Sequence, residues 1–155
     1  LRSEDDTDLL GRLLVSALPS SCVIALDGTL GAGKTRLVQA MAKACEIPLE
    51  EVTSPTFTLW QTYYGTRTIH HLDAYRIQDD DEFLALGVEE CFSEQAIMVI
   101  EWAQRVKDSL PTQGVLQVGL EVVSERERLV TLSGNYPHLF GVLSKSNLAP
   151  APSES

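Results

Sequence analysis

The apolar residues of this chain fall into two kinds of run, and their spacing predicts an alternation of helices and strands. Leu9, Leu10, Leu13, Leu14 and Leu18 recur at helical spacing and stop at Pro19. Ser3, ahead of Glu4, Asp5 and Asp6, reads as the N-cap of that helix with an acidic first turn. Cys22 to Leu26 is continuously apolar, the mark of a buried strand. Lys34 to Cys45 carries Leu37, Val38, Met41 and Cys45 on one face, which predicts a second helix broken at Ile47-Pro48. Thr56 to Tyr63 and Thr68 to Leu72 are rich in Thr, aromatic and branched residues. With Tyr64 to Arg67 between them they predict a β-hairpin. Asp79 to Leu86 predicts a short helix stopped by Gly87. Ala96 to Ile100 is a second fully apolar strand, followed by a short helix from about Ala103 to Leu110-Pro111. Val115 to Val123 and Leu129 to Leu132 read as strands joined by the charged turn Glu125 to Arg128. Tyr136 to Leu143 predicts a weak helix. Residues 1–146 then form one domain, and 147–155, rich in Ala, Pro and Ser, predict a disordered tail.

Composition narrows this picture by exclusion. The hydrophobic and charged shares, 44% and 22%, are those of an ordinary globular domain, and 155 residues can bury a real core. A net charge of −10 and a pI near 4.6 oppose direct nucleic-acid binding, because counterion release needs cations and the 12 Lys and Arg are scattered. Tight nucleic-acid binding is therefore not expected. Cys22, Cys45 and Cys91 share no metal or redox spacing and read as buried thiols of a reducing compartment, so the expectation is cytoplasmic. No apolar run approaches the ~18 residues of a membrane span.

The decisive chemistry is Gly28-Thr29-Leu30-Gly31-Ala32-Gly33-Lys34-Thr35, a full phosphate-binding P-loop between an apolar strand and a helix. Its glycines let successive N–H groups and the helix N-terminus face a polyphosphate. The nucleotide-binding stretch is Gly28, Leu30, Gly31, Ala32, Gly33, Lys34, Thr35 and Arg36. Lys34 can reach the β- and γ-phosphates and the Thr35 hydroxyl can ligate Mg²⁺, whereas the Arg36 side chain is expected to point away. The fold class that follows is α/β. It is a P-loop NTPase core in three layers, with a mixed sheet whose parallel centre gains an antiparallel hairpin and antiparallel C-terminal strands.

Such a site needs a second acidic group at the end of a neighbouring strand. Glu101, after Ile97 to Ile100, has that form; Asp73, after Ile69 to Leu72, is the second candidate. Thr56 in Ser54-Pro55-Thr56-Phe57 is either a loop-to-strand junction or a switch hydroxyl for the γ-phosphate. His70 and His71, adjacent on a strand, face opposite sides and cannot chelate one metal together. Trp102 is a core aromatic or a neighbour of the nucleotide. Arg126 and Arg128 read as a solvated turn, and Arg76 as either a structural ion pair or a cation for the phosphates. No Asn-Lys-x-Asp guanine motif exists, which favours adenine.

Four segments in this order, Gly28 to Thr35, Ser54-Pro-Thr-Phe57, His71-Leu-Asp-Ala-Tyr-Arg76 and Ile100-Glu-Trp102, resemble the bacterial TsaE family, also called YjeE. The resemblance covers about residues 3 to 133. That family is the ATPase component of the machinery that places threonylcarbamoyl on the adenosine beside the anticodon of certain tRNAs. The resemblance implies ATP and Mg²⁺ as cofactors and TsaD-like and TsaB-like proteins as partners. It implies Lys34 and Thr35 for phosphate and Mg²⁺, Thr56 in a switch loop, Asp73 and Glu101 as essential acids with Glu101 on the metal, and Trp102 near the nucleotide. Thr29 stands where the family commonly has an acidic residue, and Ala74 replaces a frequent Leu. The competing readings are a small-molecule P-loop kinase and a non-hydrolysing nucleotide-sensing module.

Overall fold

The computed structural model describes residues 1–53, 55 and 58–148. The first apolar period becomes α1 (Glu4–Ala17), whose N-cap Ser3 Oγ accepts the Asp6 N–H at 3.1 Å. It leads into β1 (Cys22–Gly28) and, across the phosphate loop, into α2 (Lys34–Ala44). The hairpin is present as β2 (Trp60–Tyr63) and β3 (Thr68–Asp73), antiparallel and in the register Thr62 opposite His70. α3 (Asp80–Leu84) starts at Asp79, which accepts the Glu82 N–H, and the chain turns off it at Gly87, whose φ of +83° suits glycine. β4 (Ala96–Glu101), β5 (Val115–Val122), β6 (Arg128–Ser133) and α4 (Pro137–Ser144) complete the chain.

The six strands lie in the order β2-β3-β4-β1-β5-β6. β3, β4, β1 and β5 are mutually parallel, while β2 and β6 close the edges antiparallel. The mixed α/β sheet is therefore as expected, with the two all-apolar strands β1 and β4 side by side at its centre, buried on both faces.

Alternation along β1 and β4 divides the core in two. Ile24, Leu26, Ile97 and Val99 pack under α1, α2 and α4 through Leu14, Leu37, Met41 and Leu139. Val23, Ala25, Met98 and Ile100 face the other way, against Phe83 of α3 and Val88 and Val106 of the short helical turns. The closeness of α1 to α2 depends on Gly11: a Cβ there would stand 2.7 Å from the Ala40 carbonyl carbon.

Two local expectations are corrected. The helix expected from Ala103 is a kinked 3₁₀ segment, Ala103–Ser109, broken by Val106 at φ −128°. The charged turn is shifted one residue toward the N-terminus, because Arg128 already pairs with Val122 in the β5–β6 ladder. Further 3₁₀ turns at Leu49–Glu51 and Val88–Ser93 carry no periodic signal in the sequence. Of the expected tail, Leu148 packs against the first core, and 149–155 lie outside the described residues. Among the described residues no helix is long and apolar enough to cross a membrane.

Candidate functional site

The C-terminal ends of β1, β3 and β4 converge on the N-terminus of α2. Parallel register does this, since Leu26 lies opposite Glu101 and Asp73 lies opposite Glu101. Asp27, Asp73 and Glu101 thus come to one sheet end, where ligands bind in open α/β folds.

The loop that crosses this end is built by glycine. Gly31 and Gly33 have φ of +79° and +103°, and a Cβ on Gly28 would stand 2.6 Å from the Leu120 carbonyl oxygen. The Ala32 N–H closes the turn on the Thr29 carbonyl at 3.0 Å. α2 starts with no side-chain cap and no acidic residue in its first turn. Its leading N–H groups and the positive end of its dipole are left to an anion.

Lys34 is buried, and its ammonium donates to the Gly28 and Thr29 carbonyls at 2.7 and 3.0 Å. It also lies 4.2 Å from the centre of the Trp102 ring. Burial pulls this lysine below the ordinary range, against the charges of Glu101, Asp73 and Asp27. Trp102 holds φ of +59°, donates its N–H to the Leu26 carbonyl, and packs on Tyr75 at 4.9 Å.

The Thr35 hydroxyl donates to Glu101 Oε1 at 3.2 Å, so the P-loop threonine and the β4 acid are already joined. The other Glu101 oxygen lies 3.0 Å from His71 Nε2, and His71 Nδ1 is 3.1 Å from the Tyr63 hydroxyl. Asp73 accepts the Tyr75 N–H at 2.9 Å. Burial pushes its carboxyl above the usual range and the Glu101 charge adds to this, while the Tyr75 bond opposes it. Asp27 is raised likewise by burial, opposed by the Gln104 N–H. Thr35 Oγ1 and Glu101 offer only oxygen donors, the ligand type that suits Mg²⁺.

Other expected residues lie where the geometry now states. Arg36 turns away from the loop and pairs with Asp8 of α1 at 2.7 Å. Leu30 stands 85% exposed at the loop tip. Arg76 is exposed, three residues past Asp73. Thr56 lies outside the described residues. Arg128 corrects the expectation of a solvated turn: half-buried, it donates from Nε to the Ala32 carbonyl at 3.1 Å and so braces the phosphate loop. Clefts of about 560 and 530 Å³ flank the loop. One runs along Gly28 to Leu30 and Trp102, and the other along Gly33, Arg36, Arg128 and the chain start at Leu1 to Glu4.

Three participants were not singled out by sequence reasoning. Asp27 had a signal, a carboxylate between an apolar strand and the first loop glycine. His71 opens the His-Leu-Asp-Ala-Tyr-Arg segment, but its spacing shows only that it and His70 face opposite sides, not that it reaches Glu101. Tyr63 had none, because its contact with His71 exists only through strand pairing.

Comparison with known proteins gives the family and agrees with the fold. Residues 1–130 match the family model of the threonylcarbamoyl adenosine biosynthesis protein TsaE. The tRNA threonylcarbamoyladenosine biosynthesis protein TsaE of Treponema pallidum is 38% identical over 132 residues, 85% of this chain and 96% of that protein. The Bacillus subtilis protein of that name is 33% identical over 130 residues, 83% of this chain and 80% of its own length. The crystal structure of Bacillus subtilis YdiB superposes with a TM-score of 0.75 at 27% identity, covering 94% of this chain and 91% of that one.

Proposed function

This chain belongs to the TsaE family, and from that premise we propose that it is a Mg²⁺-dependent ATP-binding and hydrolysing subunit serving tRNA threonylcarbamoyladenosine biosynthesis. It drives or resets the modifying complex and does not perform the carbamoyl transfer. The observation that carries this reading is the joining of Lys34, Thr35, Asp73 and Glu101 at one sheet end, with the Thr35–Glu101 hydrogen bond at its centre.

Each residue then has a task. The N–H groups of the 28–35 loop and the first turn of α2 bind the phosphate oxygens. Lys34 leaves its carbonyl partners for the β- and γ-phosphates, where its charge offsets theirs. Thr35 and Glu101 would hold Mg²⁺, which supplies neutralisation of phosphate charge. Asp73, fixed by the Tyr75 N–H, faces the same end and orients the attacking water. His71 steadies the far oxygen of Glu101. Adenine is preferred to guanine, since no guanine-reading motif exists; equal competition by GTP would count against this.

The partners are TsaD-like and TsaB-like proteins. Buried free thiols at Cys22, Cys45 and Cys91 support a cytoplasmic setting. The test is steady-state phosphate release by the chain alone, with each partner and with both. Slow solo turnover, well below the enzyme median of about 10 s⁻¹, should rise at least tenfold with both partners. Brisk hydrolysis indifferent to partners points instead to an independent enzyme such as a small-molecule kinase. Tight ATP binding with no turnover under any condition points to a nucleotide sensor.

A further inference from the structure

We propose that His70, Cys91 and Glu94 form a binding site for a Zn²⁺-class ion on the sheet face opposite the phosphate loop. His71 of β3 points toward α2 and Glu101; His70, its neighbour, points to the other face. There it meets Cys91, from the helical turn after Gly87, and Glu94 at the end of that turn. One imidazole nitrogen, one thiol sulfur and one carboxylate oxygen lie within 4.8 Å of one another.

The donor set suits zinc, and its spacing, up to 4.8 Å, would tighten around the ion. Bonds of about 2.3 Å to sulfur and about 2.0–2.2 Å to nitrogen and oxygen put tetrahedral ligands about 3.3–3.6 Å apart. His70 Nε2 and Glu94 Oε2 are already at 3.0 Å, and Glu94 is exposed enough to adjust. Glu94 is half exposed, so water can reach the ion as a fourth ligand. A thiolate and an imidazole prefer Zn²⁺ to Mg²⁺, so this site and the all-oxygen set around Thr35 select different ions.

The surroundings orient the ligands. His70 Nδ1 lies 2.9 Å from the Thr62 hydroxyl and accepts the Trp60 indole N–H at 3.4 Å; metal binding would require the other tautomer, with Nδ1–H donating to Thr62 and the Nε2 lone pair turned to the ion. Trp60 meets the His70 ring edge-on at 5.6 Å and fixes its plane. Without an ion, burial and the nearby Glu94 push the Cys91 thiol up to about 11. Binding displaces that proton to solvent and leaves a thiolate on the metal. The ion would then tie β3 to the 88–94 turn, at the strand whose end carries Asp73.

The test uses the full chain stripped by chelator and titrated with Co²⁺, then with Zn²⁺. One equivalent of Co²⁺ should give a thiolate-to-cobalt charge-transfer band that Zn²⁺ abolishes. Cys91→Ser should remove the band and weaken Zn²⁺ at least 100-fold. Thr62→Val should weaken it about 10- to 100-fold, the usual effect of losing a ligand-orienting partner. Asp73→Asn, at the other site, should leave the band and affinity unchanged. Absence of the band, or a band that survives Cys91→Ser, overturns the proposal. If Cys91→Ser does not fold, Glu94→Gln decides: this exposed change should keep the native circular dichroism, and an unchanged Zn²⁺ affinity overturns the site.

Discussion

Asp73 is a carboxylate that folding makes harder to ionise. Burial raises its folded pKa above the ordinary 3.8, and the Glu101 charge adds to this. The folded chain therefore holds a proton that the unfolded chain has released, and stability falls as pH rises through that window. Asp73→Asn removes this cost while its amide oxygen can still accept the Tyr75 N–H. We expect the nucleotide-free melting temperature at pH 7 to rise on the order of a few degrees, with the gain vanishing below about pH 3.8. Partner-stimulated turnover should fall about 10²-fold or more. Melting curves across pH, paired with phosphate release, check both halves. Glu101→Gln should bind ATP within about tenfold of wild type yet lose turnover on the same scale. Lys34→Ala should abolish most of the nucleotide-induced stabilisation, about 2.7 kcal/mol or roughly 5–11 °C at a hundredfold excess over Kd. At this scale Lys34, Thr35, Asp73 and Glu101 were legible because each is marked by its place in a local motif. Arg128 was not, because it acts through Ala32, 96 residues away in the chain; Tyr63 was not, because only the side-chain directions of the β2–β3 hairpin bring its hydroxyl to His71.

At the scale of elements, α1, α2 and the two central strands were legible from apolar runs and period alone, and the cap Ser3 from side-chain chemistry, whereas Asp79, expected as the first helical residue, instead caps α3. The 3₁₀ segment after Trp102 was not. Its apolar residues fit a helix, but Trp102 in the left-handed region and the kink at Val106 bend it onto the second core. Strand order was also hidden, since β1 finds partners about 75 and 92 residues further on. The α1–α2 contact offers a test at this level. Gly11→Val drives side-chain atoms into the Ala40 backbone, and overpacking of this kind costs about 1–3 kcal/mol. A denaturant midpoint unmoved by Gly11→Val would mean that the two helices can part freely. Asp8, which joins Arg36 and Lys43 across the same pair, titrates in the opposite sense to Asp73. Hydrogen bonds to Lys43 and Arg36 lower its pKa, so its contribution is complete above about pH 3.8 and fades as pH falls through the lowered value.

The whole molecule is acidic, with a net charge of −10, and lends the reaction few cations. Lys34 is the buried one at the loop. Phosphoryl transfer gains about 10³–10⁵ in rate from an added arginine, which is why stimulation by a partner is expected. The same charge predicts weak, salt-sensitive retention of naked tRNA by the isolated chain in a filter assay. The strand order has a further consequence, for the chain during its manufacture. β1 leads into the phosphate loop, yet both its neighbours, β4 and β5, come from the later part of the chain. A ribosome adding about 5–20 residues per second exposes the apolar stretch Cys22 to Leu26 for seconds before either flank exists. A nascent chain stalled ahead of Val115 would carry the complete nucleotide motif but only one side of its cradle. The phosphate loop is thus among the first parts made and among the last to be set in place.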